Sequence, residues 1–437
     1  MKRALIALAG LVAMATSLPA AAAAAGPDRP ARTPVARSVA ATATTSISRT
    51  RLCGALRTRL GRGGSANGLF VIDTGTGKRV CGRKGRVRRI PASNMKMFTT
   101  AAALARFGPD QRLPTTLYRS GTLSSTGVLS GNLYLVGGGD PGLSSPDFAS
   151  RFLGNSGTDL HELTGIVEAA GIDRVTGRIY ADDTIFDRLR GVADSGFDTS
   201  PYIGPLSGLD FNSGYADPSG RRFATDPAIV AADSLADNLR ASGVQVSSDV
   251  SLRALPTTGV EQVGAVSSPR MEVLANETNV YSNNFFAEML LKNLGARFGT
   301  GGSTRAGAVV VRRYARSLGS GVRAIDGSGL SRGNRVTPAQ VARMLDALRD
   351  TQFADAYANS LALAGREGTV AGRMRGTAAA GRCRTKTGTL TGVSALSGYC
   401  FNASGKVMAF AILNNRVFSL SEAHRQQDRM AALIARY

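Results

Sequence analysis

Tryptophan is absent from the 437 residues, and histidine occurs only at His161 and His424. That excludes a metal centre built on several imidazoles, and a Ser-His-Asp triad would have to use one of two positions. Lysine is nearly as scarce, with seven residues against 46 arginines among the 53 basic ones. A motif that uses a lysine is therefore unusually informative here. There is no internal repeat at a fixed period. Beyond the first 25 residues no apolar run approaches the ~20 residues a membrane span needs. What is present is an ordinary globular balance, 43% apolar and 19% charged, in a chain long enough for two or three domains.

The net charge of +22 invites a nucleic-acid partner. The first residues argue against one. Met1-Lys2-Arg3 precede an apolar stretch from Ala4 to Ala15, Thr16, Ser17 and Pro19 interrupt it, and Ala20 to Ala25 follow. A basic start, a short apolar core and small residues describe a signal peptide over 1–25, cleaved near 23–26. The mature protein is then expected to be secreted into the envelope or periplasm, with no nucleic acid to meet. Loss of Lys2 and Arg3 takes the charge from +22 to +20, enough to attract anionic cell-wall polymers, although a solvated basic surface without a partner explains it equally well.

Four cysteines in an exported chain predict two disulfides, with three connectivities open. The stretch from Cys383 to Thr389, then Thr391-Gly392, then Ala395 to Phe401 reads as strand, turn, strand. A turn centred between Thr391 and Gly392 sets Cys383 opposite Cys400. Cys53 is left to pair with Cys81.

Residues 26–48, rich in Pro, Ala, Arg and Thr, read as a disordered linker. Leu69 to Ile72 read as a strand, and Pro91-Ala92-Ser93 open a helix that stops near Gly108-Pro109. Short strands and glycine-rich turns fill 110–267, with helices near 158–170 and 227–242. Helices at 283–294, 303–318 and 337–349, the hairpin at 383–414 and a helix at 421–436 complete the chain. The pattern predicts one α/β (α+β) domain, 49–109 with 268–437, split by an insertion at 110–267.

Three motifs carry the chemistry. Ser93 and Lys96 are one helical turn apart, so hydroxyl and amine can meet, and a neutral lysine can activate the serine. With 38 serines and seven lysines, chance supplies about 0.6 such S-x-x-K matches. Lys386-Thr387-Gly388 is stronger, because chance predicts roughly 0.07 K-T-G. Its lysine and threonine offer a cation and a hydroxyl to a carboxylate, and its glycine lets a substrate backbone approach the strand. Ser282-Asn283-Asn284 opens a helix; alone, Ser282 reads as an N-cap. The order S-x-x-K, S-x-N, K-T-G is that of penicillin-binding proteins and serine β-lactamases.

With these motifs, and with the stretches 137–141 (GGGDP), 181–186 (ADDTIF) and 326–331 (DGSGLS), the chain from residue 50 to 437 resembles the D-alanyl-D-alanine carboxypeptidase/endopeptidases, the class C low-molecular-mass penicillin-binding proteins. Only 189 residues separate Ser93 from Ser282, fewer than is usual in the family, which implies a reduced or missing second nested insert. The resemblance implies a transpeptidase-like domain, helices packed on an antiparallel sheet, with the strand-rich domain inserted after the Ser93 helix. It implies that Ser93 attacks the penultimate D-Ala carbonyl and Lys96 is the base. Ser282 would pass the proton to the leaving amine, assisted by Asn284, and Lys386 would supply positive charge. The N–H groups of Ser93 and Thr389 would form the oxyanion hole, and Thr387 and Gly388 would bind substrate. Asp140, Arg332 and Thr391 would hold the zwitterionic end of a stem-peptide side chain such as diaminopimelate. The expected partners are peptidoglycan stem peptides, with β-lactams as covalent inhibitors; no cofactor and no metal are expected.

Two alternatives share the motifs. A serine β-lactamase needs an activated water, and Glu272 to Asn276 (EVLAN) resembles its glutamate motif but lies before S-x-N. A non-catalytic wall-binding protein on this fold would not need every catalytic side chain, and all are present.

Overall fold

A computed structural model describes residues 47–247 and 249–437. The signal-peptide reading and nearly all of the 26–48 linker lie outside them. Ser48, read as the linker's end, is instead an N-cap that accepts from the Arg51 N–H and opens α1 (Arg49–Arg62). Leu52, Leu56 and Leu60 recur every four residues and form its buried stripe.

Strands β1 (Ala66–Asp73) and β2 (Lys78–Arg83) precede helix α2 (Met95–Phe107), which ends at Gly108, in the positive-φ conformation that suits glycine. The middle of the chain runs β3 (Pro114–Leu123), β4 (Val128–Gly137), β5 (Leu143–Ser144), α3 (Pro146–Phe148), β6 (Thr158–Asp159), α4 (Glu162–Ala169), β7 (Arg174–Val175) and β8 (Ile179–Asp182). It continues through α5 (Pro227–Ala241), β9 (Val250–Leu252) and β10 (Val260–Ser267). The helix expected at 158–170 starts late, because its first residues form β6 against β5. Helices α6 (Met271–Val280), α7 (Asn284–Phe298), α8 (Thr304–Ser317), α9 (Pro338–Leu348) and α10 (Ala354–Asn359) follow. The chain closes with β11 (Ala362–Leu363), β12 (Cys383–Leu390), β13 (Val393–Phe401), β14 (Val407–Asn415) and α11 (Leu420–Ala435).

Two six-stranded sheets result. One has the order β11-β12-β13-β14-β1-β2, and every pairing in it is antiparallel. The other takes its strands from 114–267 alone, order β10-β3-β4-β8-β9 with β7 beside β4, and is parallel at β4-β8-β9. In the first sheet β14 alternates as a two-sided core strand must. Met408, Phe410 and Ile412 pack with α1 and α11, while Ala409, Ala411 and Leu413 join the larger core around α2, α7 and α9. Each buried Met, Phe, Ile or Leu among them contributes roughly 1.5–3 kcal/mol, and each alanine methyl less than about 1 kcal/mol. The register of β12 on β13 runs from Cys383↔Cys400 to Leu390↔Val393, and the disulfides are Cys383–Cys400 and Cys53–Cys81.

Candidate active site

Ser93 lies in a 3-10 turn, Ala92–Asn94, directly before α2. Ala92 holds a φ of 48°, a left-handed conformation that costs a non-glycine residue on the order of 1 kcal/mol or more. One turn on, Lys96 is fully buried. Its Nζ lies 3.2 Å from Ser93 Oγ, 2.6 Å from Asn284 Oδ1 and 2.7 Å from the Ser328 carbonyl oxygen. A neutral amine has two N–H bonds for Asn284 and Ser328 and a lone pair for the Ser93 hydroxyl. Burial draws the Lys96 pKa down to about 7, against Asp326 and Glu288, which favour the charged form.

Those two carboxylates were missed by sequence reasoning as parts of the site. Glu288, buried on α7, accepts from the Gly327 and Ser328 N–H groups at 3.0 and 2.7 Å. Asp326 accepts from the N–H groups of Gly329 and Ser331 and from Asn334 Nδ2. Together they shape the 326–331 loop so that the Ser328 carbonyl faces Lys96. Burial, reinforced by Asp326, raises the Glu288 pKa to about 7. The available signal was a lone glutamate in the apolar run Phe285 to Leu291, four residues after Asn284 on the same helix face.

The K-T-G strand β12 closes the other side. Asn94 Nδ2 donates to the Lys386 carbonyl at 3.3 Å. Lys386 is fully buried, and burial together with Lys96 holds its pKa well below the usual lysine range. Its Nζ donates to the Thr387 carbonyl at 3.0 Å, and the Thr387 hydroxyl meets that of Thr369. Gly388 is constrained by more than its sequence reading. A Cβ there would stand 2.8 Å from the Pro91 carbonyl oxygen and 3.1 Å from the Ser93 nitrogen. The missing side chain lets β12 lie against the serine turn, a second demand on a glycine that also lines the cleft.

Ser282 is not the N-cap of α7. That role falls to Asn283, whose side chain accepts from the Phe286 N–H, while Ser282 stands just outside with a φ of 62°. The strained backbone turns Ser282 into the cleft instead of along the helix. The cleft, about 760 Å³, is lined by Ser93, Ser282, Asn284, Thr387, Gly388, Thr389 and Thr391, with Asp194, Tyr202 and Arg332 at its rim. The Arg332 guanidinium donates to the Thr391 carbonyl, and its backbone N–H donates to Asp194 Oδ2 at 2.9 Å.

Asp140 does not join them. It is buried within the second sheet's loops, where its carboxylate accepts from the Gly142 N–H at 2.7 Å and from Thr158 Oγ1 at 2.6 Å. Burial pushes its pKa up to about 6. It ties a turn together, and the acid beside Arg332 is Asp194. Glu272 lies on α6, ion-paired with Arg270 and lining a separate cavity of about 990 Å³.

The arrangement provides a serine hydroxyl with a buried amine in reach, a proton-carrying hydroxyl across the cleft and backbone N–H groups at the start of a helix. It suits acyl transfer. A family model described as D-Ala-D-Ala carboxypeptidase 3 (S13) matches residues 56–222 and 212–437. The D-alanyl-D-alanine carboxypeptidase of Actinomadura sp. strain R39 is 32% identical, covering 86% of this chain and 82% of its own. Carboxypeptidase DacB of Mycolicibacterium smegmatis is 31% identical over 79% of this chain and 75% of its own. Penicillin binding protein 4 of Haemophilus influenzae shares the fold, with a TM-score of 0.70 at 20% identity over 89% of this chain and 98% of that one.

Proposed function

The chain belongs to the D-Ala-D-Ala carboxypeptidase 3 (S13) family, and from that premise we propose that it is an exported serine peptidase that hydrolyses D-Ala-D-Ala ends of peptidoglycan stem peptides through an acyl-enzyme on Ser93. The observation that carries this reading is the buried Lys96 amine, 3.2 Å from the Ser93 oxygen with its pKa drawn down to about 7. A base poised near neutrality takes the hydroxyl proton as Ser93 Oγ attacks the penultimate D-Ala carbonyl. The N–H groups of Ser93 and Thr389 hold the oxyanion. As the C–N bond breaks, the proton passes from Lys96 through Ser282 to the leaving amine, with Asn284 orienting the lysine. D-Ala departs and the ester stays on Ser93. Water then gives its proton to Lys96, adds to the ester and releases the shortened peptide, and the serine recovers its proton.

Lys386 and Thr387 receive the terminal carboxylate. An incoming anion favours charged Lys386, and that charge in turn keeps Lys96 neutral. A leaving amine that belongs to a neighbouring stem peptide makes the same steps an endopeptidase reaction. β-Lactams acylate the same serine. The zwitterionic end of the stem-peptide side chain fits Arg332, Thr391 and, in place of Asp140, Asp194. Export is supported by the first 25 residues and by two disulfides.

The test is covalent labelling with a fluorescent penicillin alongside turnover of two D-Ala-D-Ala peptides, one with the zwitterionic side-chain end and one with acetylated lysine. The wild type is expected to take the label and to prefer the zwitterionic peptide roughly 10- to 150-fold, the range of a charged hydrogen bond. Ser93→Ala should do neither; a labelled Ser93→Ala protein sinks the assignment, and equal turnover of the two peptides sinks the side-chain site.

A further inference from the structure

Half of the net charge of +22 sits in 42 residues. Residues 49–90 hold ten arginines and two lysines against one acid, Asp73, a net of +11, whereas residues 91–437 carry only +7. In the fold this segment lines one edge of the first sheet, with α1 on one side of it and the Arg79 side chain beside Phe70 on the other. α1 packs beside β2, the Cys53–Cys81 bridge joins them, and Arg49 donates from α1 to the Val80 and Arg79 carbonyls. Arg51, Arg57 and Arg62 of α1 are exposed, as are Lys78, Arg79 and Arg83 of β2 and Lys84, Arg86 and Arg88 after it. Among the described residues none of the twelve cations makes an ion pair, and Asp73 is paired with Lys406 instead. Arg89 alone is buried, donating to the Asn67 carbonyl.

Uncompensated like charge held together in this way destabilises the fold unless something outside neutralises it. Cations on an edge strand also deter sheet-to-sheet aggregation, and β2 is such an edge. That accounts for Lys78, Arg79 and Arg83 but not for the arginines of a helix. We propose that α1 and β2 form a docking face for a linear polyanion of the cell wall whose repeats carry phosphodiester groups. The cations spread along a helix of about 21 Å and the strand beside it, which suits an extended polymer better than one small anion. Ten of the twelve are arginine, whose planar fork pairs with phosphate oxygens two at a time. β2 lies four strand spacings from β12, about 19 Å across the sheet, so a polymer held there leaves the cleft open. The inference rests on the proposed function only for the wall as the place of encounter.

The experiment measures binding of the full chain to long-chain inorganic polyphosphate across 50–200 mM salt, and to isolated walls before and after the phosphodiester polymer is stripped. The variant Arg57→Gln/Arg62→Gln/Arg79→Gln/Arg83→Gln is compared with an equally neutralised control, Arg174→Gln/Arg305→Gln/Arg313→Gln/Arg316→Gln. The first is expected to bind polyphosphate at least roughly tenfold more weakly, with a salt slope reduced by about 3, while the control stays close to wild type. Stripped walls should retain little of either protein. Equal losses in both variants would mean that net charge alone does the work, and undiminished binding to stripped walls would mean another wall component; either overturns the face. Turnover of a soluble D-Ala-D-Ala peptide should be unchanged in both variants. If the wild type lacks that turnover, the proposed function fails on its own, and the binding comparison still decides the face.

Discussion

Lys96 shows how a residue's chemistry is made by its neighbours. Burial favours the neutral amine, and Asp326 and Glu288 favour the cation, so the balance falls at a pKa of about 7. Because the neutral amine is the base, acylation by penicillin should rise with pH through that region. Glu288→Gln keeps an acceptor for the Gly327 and Ser328 N–H groups but removes a negative charge that favours the protonated lysine. The rising limb of the pH–rate profile should therefore move to lower pH, by up to about one unit. A merely structural role would lower the rate without moving the limb, and an unmoved limb would discard the electrostatic account. Lys96 was legible in the sequence because lysine is rare and sits three residues after a serine. Glu288 was not, because its partners are backbone groups 39 and 40 residues on.

Among elements, the β12–β13 hairpin was the most legible. Alternation, a Thr-Gly turn and two cysteines specify a register without reference to the rest of the fold. What the hairpin leans on was not legible. Gly388 reads as a gap for a ligand, and only packing shows that a neighbouring turn needs the gap too. Gly388→Ala would press a methyl group on the Pro91 carbonyl and the Ser93 nitrogen. The strand must then withdraw from the serine turn, at a cost of roughly 1–3 kcal/mol in stability. Displacement of about 1 Å at the N–H groups of Ser93 and Thr389 should slow acylation by on the order of 100-fold. Stopped-flow acylation and thermal denaturation check the two effects. A variant that acylates at the wild-type rate would show that this contact does not align the site.

At the scale of the whole molecule, the two disulfides sit at opposite ends of one sheet. Cys383–Cys400 belongs to the cleft hairpin, and Cys53–Cys81 ties α1 to the far edge strand. The second closes a separation of 28 residues, worth roughly 3–4 kcal/mol on the loop-entropy estimate. Cys53→Ala/Cys81→Ala should lower the denaturant midpoint accordingly and leave peptide turnover per folded molecule unchanged, since three strands separate β2 from β12. A comparable fall in turnover in the folded variant would show that the far edge and the cleft are coupled.

Local order was determined by the sequence itself. Leucines four apart specify α1, a proline after a capping Asp or Thr starts α5 and α9, cysteines across a tight turn pair, and scarce lysines mark the motifs. Each of these depends on residues close along the chain. The tertiary structure alone decided which acid stands beside Arg332, since Asp194 and Asp140 are both aspartates in loops and differ only in burial and partners. It also decided that Asn283 caps α7 while Ser282 faces the cleft, that Gly388 serves the serine turn as well, and that the cations of α1 and β2 meet at one edge of the sheet. These outcomes depend on groups distant in sequence competing for the same space and the same hydrogen bonds, and no local pattern records which of them wins.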